Sequence, residues 1–143
     1  DLTLTDSDLT GFRGGFTDGR YGYFVPFGVI VRLGKVARVD LRDFHSVSVL
    51  DLTVVDSDCT GFHGGFTDGR YGYFVPFMNG SAKSGKAVRV DLNDFATVSV
   101  LDLTISDPDL KGFNGGFTDG QFGYFVPHNN GAYFGKIARI PMF

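Results

Sequence analysis

The chain has no tryptophan, one cysteine and three histidines among its 143 residues. A single thiol rules out an internal disulfide framework and a cysteine-based zinc site. Cys59 takes the place that Leu9 and Leu110 hold elsewhere in a repeating pattern, so it is expected to act as a small buried hydrophobe. Strong charge of either sign is also missing. Thirteen Lys and Arg against sixteen acidic residues leave a net charge of −3, without the basic footprint that nucleic acid requires. The longest apolar run, FVPFGVIV at residues 24–31, is far too short for a membrane span and is interrupted by Pro26 and Gly28. No charged-then-apolar leader opens the chain. Its first residue is Asp rather than Met, from which an upstream start is expected.

What the sequence does contain is repetition. GFRGGFTDGRYGYFVPF at residues 11–27 returns as GFHGGFTDGRYGYFVPF at 61–77 and as GFNGGFTDGQFGYFVPH at 112–128. Gly14, Gly64 and Gly115 are equivalent, so the period is 50 and then 51 residues. A period of about fifty marks a repeated supersecondary unit, with propeller blades the leading candidates. The 21 glycines, well above ordinary usage, fall at fixed places inside this unit.

Each unit reads as four strands. In the second copy these are GFHGGFT (61–67), RYGYFVPF (70–77), KAVRVDL (86–92) and TVSVLDLTI (97–105). Asp68-Gly69 supplies a hairpin signal between the first two. No segment carries a helical period, so the expected class is all-β. In RYGYFVPF neither alternating face is polar, which is unlike an antiparallel strand with one wet side. Such a strand fits between two neighbouring sheets. The Gly-Gly doublet then serves a crowded innermost strand, where backbones approach closely.

DGRYGYFVPF, a loop, GKVARVDL and VSVLDLT together resemble the YVTN-type repeat of β-propellers, with its Asp-Gly-x-Tyr strand and its valine-x-valine-x-Asp strand. Val25-Pro26 stands where that family has Thr-Asn. The Gly-Gly doublet is also similar to kelch repeats, whose later tryptophan this chain lacks. The resemblance covers essentially the whole chain and implies a propeller architecture.

The expected organisation is one repeat domain over residues 1–143. Repeat 1 covers about 6–55, repeat 2 about 56–106, and repeat 3 about 107–143, the last completed by a strand at 1–5. Propellers close with about four to eight blades, so three blades imply part of a longer propeller or half of a six-bladed dimeric ring. A β-trefoil, which also has three repeats of four strands and closes alone, is the alternative.

Candidate sites recur once per repeat. Asp6/Asp8, Asp56/Asp58 and Asp107/Asp109 are spaced so that two carboxylates share a loop, an arrangement that suits Ca²⁺. The competing and favoured role is capping of nearby backbone N–H groups, because no further Asp or Glu follows at a binding-loop spacing. Arg38, Arg89 and Arg139 are expected to tie strands together through carboxylates such as Asp40 or Asp91. His45, His63 and His128 fall at non-equivalent positions, which speaks against a shared catalytic or metal role. No nucleophile–base pair, phosphate-cradling loop or zinc spacing is visible, so no enzyme activity is expected.

Function is then expected in what differs between copies, namely the loops 28–34, 78–85 and 129–135. Val29, Ile30, Arg32, Lys83, Asn130 and Tyr133 are the expected partner-binding residues. They suit a non-enzymatic scaffold that binds a protein, or further copies of the same repeat, through its loop face. The alternative is a lectin-like, carbohydrate-binding module, with tyrosine serving as the sugar platform.

Overall fold

A computed structural model of the protein describes residues 1–142. The first repeat forms an antiparallel sheet of β1 (Phe12–Thr17), β2 (Tyr21–Pro26), β3 (Lys35–Asp40) and β4 (Val47–Asp51), in that order. The second uses β5 (Phe62–Thr67), β6 (Tyr71–Pro76), β9 (Lys86–Asp91) and β10 (Val98–Asp102) in the same order. The third has β11 (Phe113–Thr118), β12 (Phe122–Pro127) and β13 (Ala138–Pro141). In residues 78–85, expected as open loop, β7 (Met78–Asn79) and β8 (Ala82–Lys83) form a small hairpin. The fold is all-β, and each full sheet is a four-stranded antiparallel meander.

The TDG turns are built by side chains. Thr67 Oγ1 donates to the Tyr71 carbonyl and accepts from Gly69 N–H, while Asp68 Oδ1 accepts from the Arg70 and Tyr71 N–H groups. The Tyr73 hydroxyl donates to Asp68 Oδ2 at 3.1 Å. The same bonds recur at Asp18 and Asp119. Each TDG therefore closes its hairpin through local bonds and is tied to the sheet by one tyrosine hydroxyl.

One expectation needs correction. DLTLT at the start of the chain, taken as the strand that completes the third unit, is a single 3-10 turn, Leu2–Leu4. Its equivalents Leu52–Val54 and Leu103–Ile105 are 3-10 turns as well, so the fourth strand stops at the Asp of DLT. The cause is local. Asp51 Oδ1 accepts from Thr53 N–H at 3.0 Å, and Asp1 and Asp102 do the same for Thr3 and Thr104. A capped turn of this kind competes with continued strand pairing.

The three sheets pack face to face, and the first strand of each lies beside that of the next. Gly14, Gly64 and Gly115 have φ of 83°, 87° and 77° and sit where β1, β5 and β11 each bulge against their partner strand. A Cβ on Gly14 would stand 3.0 Å from Gly64 Cα, and one on Gly64 would stand 3.1 Å from Gly115 Cα. Glycine is needed twice there, for the left-handed backbone and for the close approach. The middle sheet is covered on both faces, and Tyr73, Phe74, Val75 and Pro76 are all buried. One core cluster, around Tyr23, Phe62 and Phe74, joins sheets one and two; another, around Phe66, Phe113 and Phe125, joins sheets two and three. Cys59 is fully buried in the first cluster, and burial raises its thiol pKa to about 11.

Candidate functional site

Two sets of repeat-related groups lie near the loops. In the first, each Asp-x-Asp pair is spanned by a lysine at the start of its own third strand or, for Lys136, just before it. Lys35 Nζ stands 2.8 Å from Asp6 Oδ2 and 2.9 Å from Asp8 Oδ2. Lys86 holds Asp56 and Asp58 at 2.8 and 2.7 Å, and Lys136 holds Asp107 and Asp109 at 2.9 and 2.8 Å. The first Asp of each pair also accepts the N–H of the second through Oδ1, which is the capping role. An ammonium thus occupies the place between the carboxylates that a cation would take. Among the described residues no cluster of three or more His, Cys, Asp or Glu side chains suited to a metal forms.

These clamps set a pH window. Lys35 and Lys86, hydrogen-bonded to their carboxylates, hold Asp6 and Asp56 below the usual range, and for Asp107 the Asp109 N–H acts first, with Lys136 behind it. Asp43, bonded by the Ser46 hydroxyl and by the Ser46 and His45 N–H groups, falls to about 2. The partner lysines are raised in turn, and burial followed by the charge of Asp68 lifts Tyr73 to about 12. Folded carboxylates bind protons less readily than unfolded ones, so their contribution is present above about pH 4 and drains as the pH falls toward 2. Folded Lys and Tyr hold protons more tightly than unfolded ones, so theirs is present below about pH 10 and drains above it. Melting temperature against pH is expected to show a plateau between these limits, and a flat profile through pH 3 would contradict the clamps.

The arginine expectation is corrected for Arg38. Arg38 does not pair with Asp40; its guanidinium lies 4.3 Å from the Tyr21 ring and 4.4 Å from the Phe95 ring. Arg89 and Arg139 lie over Tyr71 and Phe122. The space between sheets is aromatic, so a flat cation stacks there, while Asp40 and Asp91, at the strand ends, take Arg20 and Arg70 at 3.4 Å.

The second set is the loop face. β2, β6 and β12 end in Pro, and the next residue is Phe27, Phe77 or His128. Beside these rings stand the variable residues of the GFxGG motif, Arg13, His63 and Asn114, brought together by the side-by-side first strands. The His63 ring lies 5.6 Å from Phe27 and 5.1 Å from Phe77, and His128 lies 6.0 Å from Phe77. Arg13 and Arg32 sit over Phe27 at 4.6 and 4.8 Å, and Lys83 sits over Phe77 at 4.2 Å. Tyr133 packs on His128 at 5.7 Å. Burial first, then the charge of Arg13, lowers the His63 pKa, so this imidazole is neutral at pH 7.

The six expected contact residues divide in two. Val29, Ile30 and Tyr133 are exposed. Arg32, Lys83 and Asn130 are half-buried and engaged within the protein. Arg32 Nε donates to Gly80 O at 3.0 Å, which staples the first loop to the second. Asn130 Nδ2 donates to Asp109 O at 3.0 Å and Asn79 Nδ2 to Asp58 Oδ1 at 2.8 Å, so the second and third loops share a face with the Asp-x-Asp segments, as expected. Sequence reading passed over Arg13, Asn114, Phe27 and Phe77. Their signal is that they flank or interrupt a motif that otherwise changes between copies only at Gln121 and Phe122. His63 and His128, though non-equivalent, flank one ring. Arg13, Arg32 and Lys83 enter no ion pair among the described residues, unlike the three clamp lysines.

No family model, curated protein or solved structure matches the chain. No helix among the described residues is long and apolar enough to cross a membrane.

Proposed function

We propose that the protein is a non-enzymatic scaffold of β-propeller type, related to the YVTN and kelch repeat classes, that binds a protein partner through its loop face. In this reading each meander is a blade and the line of Gly14, Gly64 and Gly115 marks the axis side. Meander strand order and direct contact between first strands favour blades over a trefoil, whose repeats build a barrel capped by hairpins. The observation that carries the binding role is the convergence of the motif's variable positions and of loop residues on one face. Arg13, His63 and Asn114, then Phe27, Phe77 and His128, then Arg32, Lys83 and Tyr133 meet on one face. Three cations beside aromatic rings, with no carboxylate partner among the described residues, suit a partner segment that presents carboxylates and apolar side chains. In this reading lysine, rather than Ca²⁺, balances the Asp pairs.

The test is an array of acidic, neutral and basic peptides probed with the 143-residue chain and with an Arg13→Glu/Lys83→Glu variant of unchanged circular dichroism. Acidic peptides are expected to be retained, with at least about tenfold weaker binding for the variant. Equal retention of all classes, or no effect of the variant, overturns the reading. A carbohydrate-binding role has one specific support, the exposed Tyr133 ring resting on His128. Glycan-array binding lost in Tyr133→Ala would favour it.

A further inference from the structure

The same junction occurs twice inside the chain. Phe16 of the first sheet lies over Gly65 and Gly72 of the second, where added Cβ atoms would come within 3.0 and 2.7 Å of its ring. Phe66 lies over Gly116 and Gly123 of the third sheet in the same way, at 2.8 and 3.0 Å. In the return direction, Phe95 of the second sheet packs on Tyr23 and covers the Arg38 guanidinium of the first. Each junction is therefore a forward knob, a glycine cradle, and in the first case a return knob.

All three parts recur without their partners at the two ends of the stack. Phe117, equivalent to Phe66, is 57% exposed where Phe66 is 7% exposed. Phe44, equivalent to Phe95, is 78% exposed against 7%. Leu41, which floors the cradle at Gly22, is 44% exposed, against 5% for Leu92 at Gly72. Arg139 already stacks on Phe122 at 4.2 Å and leaves its own side chain exposed. Phe44 holds φ 51°, close to the 47° of docked Phe95. This left-handed conformation is unfavourable for a bulky residue. The return knob is thus set in its docked form where no neighbouring sheet covers it.

We propose that two copies of this chain dock head to tail. Phe117 of one enters the cradle of Gly15, Gly22 and Leu41 on the other, and Phe44 of the second closes over Arg139 of the first. The occupant is a second copy because the complementary halves of a seam this chain already forms internally stand at its opposite ends. Such a contact is heterologous, so it closes a ring or extends a filament. It rests on sheet packing alone, and the loop-face reading stands or falls separately.

Sedimentation velocity on the 143-residue chain, over a wide concentration series, tests the seam. Wild type is expected to form a dimer or longer chains. Phe117→Asp, which removes the knob, and Gly22→Leu, which fills the cradle, each weaken association at least about thirtyfold. Phe117 is exposed and Gly22 lies beneath Leu41 on the outer face of the first sheet, so circular dichroism checks the fold of each variant. The decisive sample is the mixture of the two variants, which retains one good knob and one good cradle. It is expected to give a one-to-one heterodimer. A wild type that stays monomeric throughout overturns the proposal, as does a dimer indifferent to Phe117→Asp, or a mixture that fails to combine.

Discussion

Phe66→Ala is expected to lower the folding free energy by about 3–5 kcal/mol, a large part of the roughly 5–15 kcal/mol a domain has. The ring stacks on Tyr73 at 5.2 Å, reaches Phe125 at 6.0 Å and fills the space over Gly116 and Gly123. Its removal leaves a cavity between two sheets whose spacing is fixed by the close Gly64–Gly115 contact. The same change at Phe117, in dilute protein, is expected to cost less than about 1 kcal/mol, because that ring faces solvent apart from Tyr124. Urea unfolding of the two variants measures the difference. Equal losses would mean that the second and third sheets do not pack through Phe66.

Gly64→Ala should be the other severe change. At φ 87° an alanine meets a left-handed penalty of about 1–2 kcal/mol. Its Cβ would also stand 3.1 Å from Gly115 Cα, and backbone cannot swing aside as a side chain can. Together these give about 3 kcal/mol. Gly115→Ala carries the first penalty without the second, since nothing lies within 4 Å of its Cβ position. A loss of about 1–2 kcal/mol is expected there. The gap between the two variants measures the contact between neighbouring first strands, and no gap would mean that those strands are not in contact.

The backbone plan was legible because it depends on short-range chemistry. Asp68-Gly69 closes a hairpin by itself, the two-sided apolar character of residues 70–77 requires cover on both faces, and Gly14, Gly64 and Gly115 repeat at a fixed period. The DLT segments were misread because Asp51 bonding to Thr53 leaves no trace in hydropathy, and Leu-Thr-Val looks like strand. The Lys35 clamp lay hidden because its carboxylates are 27 and 29 residues away. Arg38 was assigned to Asp40 on proximity in sequence, whereas its second ring comes from Phe95 on the next sheet. The loop face was half legible. Variable loops are visible in the sequence, but a neighbour from the adjoining repeat, such as Phe27 beside His63, appears only once the first strands lie side by side. All sixteen acids of this chain are aspartate. The turns explain part of that choice, since the short carboxylates of Asp18, Asp68 and Asp119 reach N–H groups two and three residues on.

The glycine cradles carry a consequence for how such a chain can change over time. Every module offers a glycine socket to whatever precedes it and a phenylalanine knob to whatever follows, so module order is not written into the joints. Rearranging modules would leave assembly intact and merely permute which basic, aromatic or amide group sits at each station of the rim. Genetic shuffling of whole units would then produce new addresses on an unaltered frame.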